Sequence, residues 1–465
     1  MGRRTALLAV VIVVASAGAG LVGADVAGDG PAVQGGGSAV QSDHVGQLFG
    51  GVTAGAVLPG SSVHPATDRA RIERGPTGAV GSDADGDAGG DEVRVGVIGS
   101  AFGDAAEVDG RVVARERVTA SRFGLAVGDG GAGDHDAAVA SVVAQRAPES
   151  SLYLASVGHE PTPAEYARAV DWLVEHDVDV IVDSGSYYPR TADGMDRISA
   201  AAERAADRGT VFVTSGGNTA RRHWRGAATE PGWLAFGDDG TQGNRLGDGR
   251  ISGAVTLRLY WEGSADYDLY LYRDVVDGPD EVVAKSTRES GSAEAIDAVL
   301  PRGSYYVAID VRDPGAGHVD LFAARHRLAY AAGAGSAVAP ATADGVISVG
   351  AVGSDGRLAA YSSASTDVQA AGTVALPDGR TLEGTSAAAP AVAGVVAEMS
   401  VAAGEDDLTP AEAERLLRRT AVDGRIDPGS AVAAAGARSR AGDDVGERTD
   451  GDGTADNGSW VYRGP

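Results

Sequence analysis

Between residues 93 and 214 the chain alternates short apolar runs with segments of helical period, and this constrains the fold more than any other feature. Residues 93–98, 152–156, 178–182 and 210–214 read as strands, and 136–146, 163–176 and 195–208 as helices. In the second helix Ala167, Val170, Leu173 and Val174 share one face. Residues 178–182 are apolar apart from Asp179, as expected for a strand covered on both sides. Parallel strands need a crossover connection, which the helices supply. The expectation is an α/β fold with a doubly wound, mostly parallel sheet.

The alternation stops near residue 249. Segments such as Val255-Thr256-Leu257-Arg258-Leu259-Tyr260-Trp261 and Tyr267-Asp268-Leu269-Tyr270-Leu271-Tyr272 follow one another without helices. Their period of two gives each strand one buried and one wet face, which predicts an inserted all-β sandwich over 249–327. The α/β pattern covers 92–240 and resumes over 328–435, with a strand at 345–352 and a long helix at 386–403. Thr409-Pro410 reads as the cap and first residue of a last helix.

The two ends have another character. Residues 1–24 begin Met1-Gly2-Arg3-Arg4 and continue as an apolar run, the pattern of a signal peptide, with the arginine pair pointing to twin-arginine export. An uncleaved N-terminal anchor is the alternative, and no other membrane span is expected. Residues 25–91 read as a low-complexity linker, and the aspartates of Ser82-Asp83-Ala84-Asp85-Gly86-Asp87 as solvated linker residues. Residues 441–465 read as an acidic, disordered tail. Cys is absent, which excludes disulfides and thiolate metal sites. The net charge of −26 disfavours a nucleic-acid partner. Lys285 is the sole lysine. A dispersed acidic excess carried with arginine suits a chain working in high salt, where screening acts within ~3 Å at 1 M; GC-rich coding is the alternative.

The segment with chemistry in it is Gly384-Thr385-Ser386-Ala387-Ala388-Ala389-Pro390-Ala391-Val392-Ala393-Gly394. It places Ser386 at a helix start, where unpaired backbone N–H groups and the helix dipole favour an oxyanion. This segment closely resembles the serine signature of subtilisin-like serine peptidases, and the chain is identified as a member of that family, of haloarchaeal type. Pro340 to Val352 and Tyr361-Ser362-Ser363 resemble the family's approach to its serine. Val211-Phe212-Val213-Thr214-Ser215-Gly216-Gly217-Asn218 resembles the strand that ends in the oxyanion-hole asparagine. Asp134-His135-Asp136-Ala137-Ala138-Val139-Ala140 falls where the family has its histidine motif. The resemblance implies Ser386 as nucleophile, His135 as base and Asn218 in the oxyanion hole.

One position departs from the family. The first strand should end in aspartate, but Val97-Ile98-Gly99-Ser100 has Gly99 there. Asp183, at the end of the neighbouring strand, is the expected surrogate, because a charge there needs a partner and Gly99 leaves room. Asp104 is the weaker candidate. Asp134 and Asp136 flank His135, and adjacent side chains are expected to diverge. The substrate is expected to be an extended polypeptide laid beside Ser184 and Gly185. No cofactor or metal site is recognisable, with calcium as a structural ion left open by the family, and a monomer is expected. The implied function is a secreted serine endopeptidase. The alternative that Gly99 raises is a pseudopeptidase binding peptides in the same cleft.

Overall fold

The computed structural model describes residues 39–40, 92–103, 108–118, 132–404 and 407–446. The signal peptide, the linker apart from Ala39–Val40, Asp104 and the tail beyond 446 lie outside the described residues. Within the stretch read as a linker, Ala39–Val40 pairs in parallel with Thr381–Glu383.

Seven strands form one parallel sheet, in the order Val368–Ala371, Ile347–Val352, Val211–Ser215, Val180–Asp183, Arg94–Gly99, Ser151–Ser156, Val112–Arg117. Side chains alternate between its faces. Val95, Val97, Leu152, Leu154, Val180, Val182, Val211 and Val213 enter one core, and Ile98, Tyr153, Ala155, Ile181 and Phe212 the other. Helices α1 (Ala132–Arg146), α4 (Thr385–Ala403), α5 (Pro410–Thr420) and α6 (Pro428–Gly446) cover the first face. Helices α2 (Pro163–Glu175) and α3 (Ala192–Asp207) cover the second. This is the doubly wound α/β fold expected. Burial of each such aliphatic side chain stabilises the layers by ~1.5–3 kcal/mol.

Thr162 and Thr409 cap α2 and α5 in reciprocal capping boxes with Glu165 and Glu412. Helix α1 begins at Ala132, so His135 lies inside it rather than before it. Helix α4 is long and apolar enough to cross a membrane, with mean hydropathy 1.4, contrary to the expectation of no second such segment. It is a core helix, buried almost throughout against the sheet. Helix α6 continues to Gly446, so residues 441–446 are helical where a disordered tail was expected.

The inserted unit is antiparallel and has its own core, including Leu257, Leu259, Leu269, Leu271, Val307 and Ile309. Strand Ala293–Asp313 pairs through its first half with Ile251–Trp261 and through its second with Asp266–Asp274, so one strand joins two halves around that core. The unit starts earlier than residue 249. His223–Gly226 pairs with Val319–Ala323, and Gly232–Trp233 and Asn244–Arg245 pair with the long strand. Those short segments lack the length for a clear period of two, and the tertiary pairing makes them strands.

Candidate active site

The parallel strands end together at one edge of the sheet, where Ile98 pairs with Asp183 and Asp183 with Thr214. Open α/β sheets place their sites at this carboxyl edge. Helix α4 starts there. Its N-cap, Gly384, has φ 94°, which a residue with a side chain adopts only under strain. Gly384 makes no side-chain cap bond; the cap comes from 167 residues away. Asn218 Oδ1 accepts the Thr385 N–H at 3.1 Å and the Thr385 hydroxyl at 3.3 Å. Two donors fix this atom as the oxygen, so the other end of the Asn218 amide is its NH₂. Gly217, with φ 93°, makes the turn that brings Asn218 there.

Ser386 is buried in the first turn of α4. Its hydroxyl donates to the Ser184 carbonyl at 3.2 Å, and the Ser184 hydroxyl donates to the Ser386 carbonyl at 3.3 Å. The second bond has a sequence cause. In an α-helix the Ser386 carbonyl would accept from residue 390, but Pro390 has no N–H. The Ser184 hydroxyl supplies the missing donor and so ties the loop after Asp183 to the Ser386 peptide.

His135 is also buried, and its Nδ1 lies 2.9 Å from Asp136 Oδ1. The other oxygen, Asp136 Oδ2, accepts the Ala101 N–H at 3.0 Å. Adjacent side chains were expected to diverge, and two things overcome that. Nδ1 is bonded directly to the ring carbon nearest the backbone, so little reach is needed. The carboxylate also turns into the space left by Gly99. A Cβ built on Gly99 would stand 2.7 Å from Asp136 Cγ, inside any real contact.

The carboxylate beside the histidine Nδ1 is therefore that of Asp136, and the surrogate role expected of Asp183 needs correction. Asp183 is fully buried at the adjacent strand end, as expected, but its charge is met by other donors. Oδ2 accepts from the Tyr166 hydroxyl at 2.8 Å, and Oδ1 from the Gly185 N–H at 2.7 Å and the Tyr187 hydroxyl at 3.3 Å. The two rings pack edge to face, 4.9 Å apart. Burial, then the Asp183 charge, push both phenols well above the ordinary tyrosine range, so both stay protonated and donate. Asp136 adds to this effect at Tyr187.

Gly185 was expected to pair with substrate, yet both its backbone groups are engaged. Its N–H is held by Asp183, and its carbonyl accepts from the Ser215 hydroxyl at 3.1 Å. Sequence reasoning set Asp136 aside as too near His135 to turn towards it, and did not single out Tyr166 or Tyr187. The signal for Asp136 was a glycine at the aspartate position together with an aspartate next to the histidine. Among the described residues no group of three or more His, Asp or Glu is placed to hold a metal ion.

A serine on a helix N-terminus, an asparagine amide at that helix start and a histidine–carboxylate pair at the edge of a parallel sheet are the parts acyl transfer uses, with the Ser386 hydroxyl turned here to the Ser184 carbonyl rather than to His135. The chain belongs to the subtilase family of serine peptidases, peptidase S8, whose family model matches residues 124–245 and 328–454, more than half of it. The match is interrupted across most of the antiparallel unit. Among solved structures, the chain is similar to the CspB protease of Clostridium perfringens, with 15% identity and TM-score 0.52 over 74% of this chain and 95% of that one. It is also similar to the nisin leader peptidase NisP from Lactococcus lactis, with 12% identity and TM-score 0.41 over 74% and 87%. No curated protein matches the chain.

Proposed function

We propose that the chain is an exported serine endopeptidase that hydrolyses extended polypeptide, without a cofactor or nucleic-acid partner, as a monomer in a high-salt medium. The observation that carries the reading is the start of α4, where Ser386 follows a helix end capped by Asn218 Oδ1; in this reading the Asn218 amide and the Ser386 N–H serve as oxyanion donors. In the acylation step the Ser386 hydroxyl turns from the Ser184 carbonyl to His135 Nε2, which takes its proton as Oγ bonds to the scissile carbonyl carbon. The oxyanion then collapses, the C–N bond breaks, and the same proton passes to the leaving amine. Water repeats the sequence to release the acid. The acidic composition and the leading Arg3-Arg4 support the salt and export parts of this reading.

The test is labelling by a fluorophosphonate probe, together with hydrolysis of an unstructured protein. Both should occur in the wild type and vanish in Ser386→Ala, whose fold should be intact. A folded wild type that neither labels nor cleaves, yet binds peptide, would establish the pseudopeptidase reading.

A further inference from the structure

We propose that the carboxylate that orients His135 has moved within the fold, from the end of the first strand to Asp136. This inference rests on the reading of Ser386 as nucleophile. Three contacts of one side chain carry it. First, Asp136 Oδ1 lies 2.9 Å from His135 Nδ1, and both side chains are buried. A buried carboxylate at Nδ1 fixes the tautomer that leaves Nε2 to act on the serine, and it stabilises the imidazolium that forms. Second, the carboxylate is held at both ends, because Oδ2 accepts the Ala101 N–H just beyond Gly99. Strand end and helix are thereby joined through one side chain. Third, Gly99 is matched to Asp136 by volume rather than by backbone. Its φ is not in the left-handed region, so its conformation admits a side chain. What excludes one is Asp136, whose Cγ, Oδ2 and Cβ all stand within 2.9 Å of a Cβ at position 99. The space that a side chain at 99 would fill is occupied by the carboxylate from 136, so the two positions are alternatives for one group.

Asp136 is a positioning residue, since it acts on substrate only through His135. Asp183 has a separate task, holding the Ser184–Tyr187 loop through Gly185 and the tyrosines.

The experiment exchanges the two positions in the full chain. Asp136→Asn and Asp136→Ala should lower kcat/KM and the rate of Ser386 labelling by ~10⁴-fold, the loss typical of a triad aspartate. The acid limb of the residual pH profile should move to lower pH, because an imidazolium without its carboxylate gives up a proton more readily. A merely structural loss would leave that limb in place. Gly99→Asp alone should be impaired by collision, whereas Gly99→Asp with Asp136→Gly should regain at least ~10²-fold over Asp136→Gly. The strongly deshielded Nδ1–H proton of a carboxylate-bound histidine should be visible by NMR in the wild type and lost in Asp136→Ala. This readout does not depend on turnover. Full labelling in Asp136→Asn, persistence of that proton in Asp136→Ala, or a folded double variant with no recovery would each overturn the relocation. A wild type that does not label while showing the proton would sink the peptidase reading and leave the relocation supported.

Discussion

At Asp183 and Asn218 single atoms decide what a substitution does. Asp183 accepts from two phenols and one peptide N–H, so Asp183→Asn puts an NH₂ against donors. Leaving one buried donor unsatisfied costs about 1–3 kcal/mol. Asp183→Asn should therefore lower the urea midpoint and weaken substrate binding, with the acid limb of the pH profile unchanged. Chemical denaturation beside a pH series separates this from Asp136→Asn, where stability should change less and the limb should shift. Asn218→Ala removes the cap on Thr385 and, in the proposed mechanism, the oxyanion amide. The expected outcome is a ~10²–10³-fold fall in kcat with a small loss of stability.

At the scale of elements, the loop between Val180–Asp183 and α3 is held from both sides. Ser184 is tied to the first turn of α4, and the following residues dock on the inserted unit. Arg258 donates from Nε to the Tyr188 carbonyl at 2.9 Å and forms a two-pronged pair with Asp297 at 3.0 and 3.2 Å. Arg190, from the loop, pairs with the same carboxylate. Arg258 is nearly buried, whereas Asp297 is 40% exposed and keeps Arg190. Arg258→Ala should thus cost about 1–3 kcal/mol, below the loss of a fully buried pair. Because the loop carries the Ser184 end of the site, KM should rise severalfold in the same variant. Arg258→Lys should not restore it, since an ammonium cannot form the fork. Steady-state kinetics on both variants provide the check, and unchanged KM in Arg258→Ala would mean the inserted unit does not support the loop.

For the whole molecule, the question is where the inserted unit can be removed. Leu328 donates its N–H to the Arg221 carbonyl at 2.9 Å, so the chain enters and leaves the unit at one point. Replacing residues 222–327 by a short linker should leave a folded parallel domain that still labels at Ser386, more slowly because the Tyr188–Arg190 loop has lost its support. Removing only 249–327, the span suggested by the sequence pattern, should give aggregation. It would strip the cover from Trp224, Leu234, Phe236 and Leu246, which belong to the unit's core. Thermal unfolding and sedimentation distinguish the two deletions. The junction also carries an acid-sensitive pair. Burial alone would raise the Asp320 pKa, but bonds from His223 and Arg225 outweigh it and the net shift is downward. A lowered carboxylate contributes stability above its unfolded pKa and loses it as pH falls through the folded value. Asp320→Asn should destabilise by about 2–3 kcal/mol at pH 7, with the difference closing once the pH falls below the acid range of both states.

The sequence by itself determined the layers and the helix start that carries Ser386. Val180–Asp183 and its neighbours are apolar on both faces because both are covered, and alternation with capped helices leaves few topologies. Ser386 at a helix start was legible because such a start needs contiguous local residues, and Asn218 because it closes the short glycine turn that follows a strand. The Asp136 contact was signalled only by Gly99 at the aspartate position, because helical spacing turns neighbours apart and gives no account of a void left by a glycine 37 residues upstream. Nor could pattern show that the Asp183 charge meets Tyr166 rather than His135, since α2 brings that phenol across the sheet edge. Only the tertiary structure decides such pairings. Burial makes each charge find donors, and the donors within reach are set by how the layers pack rather than by distance along the chain.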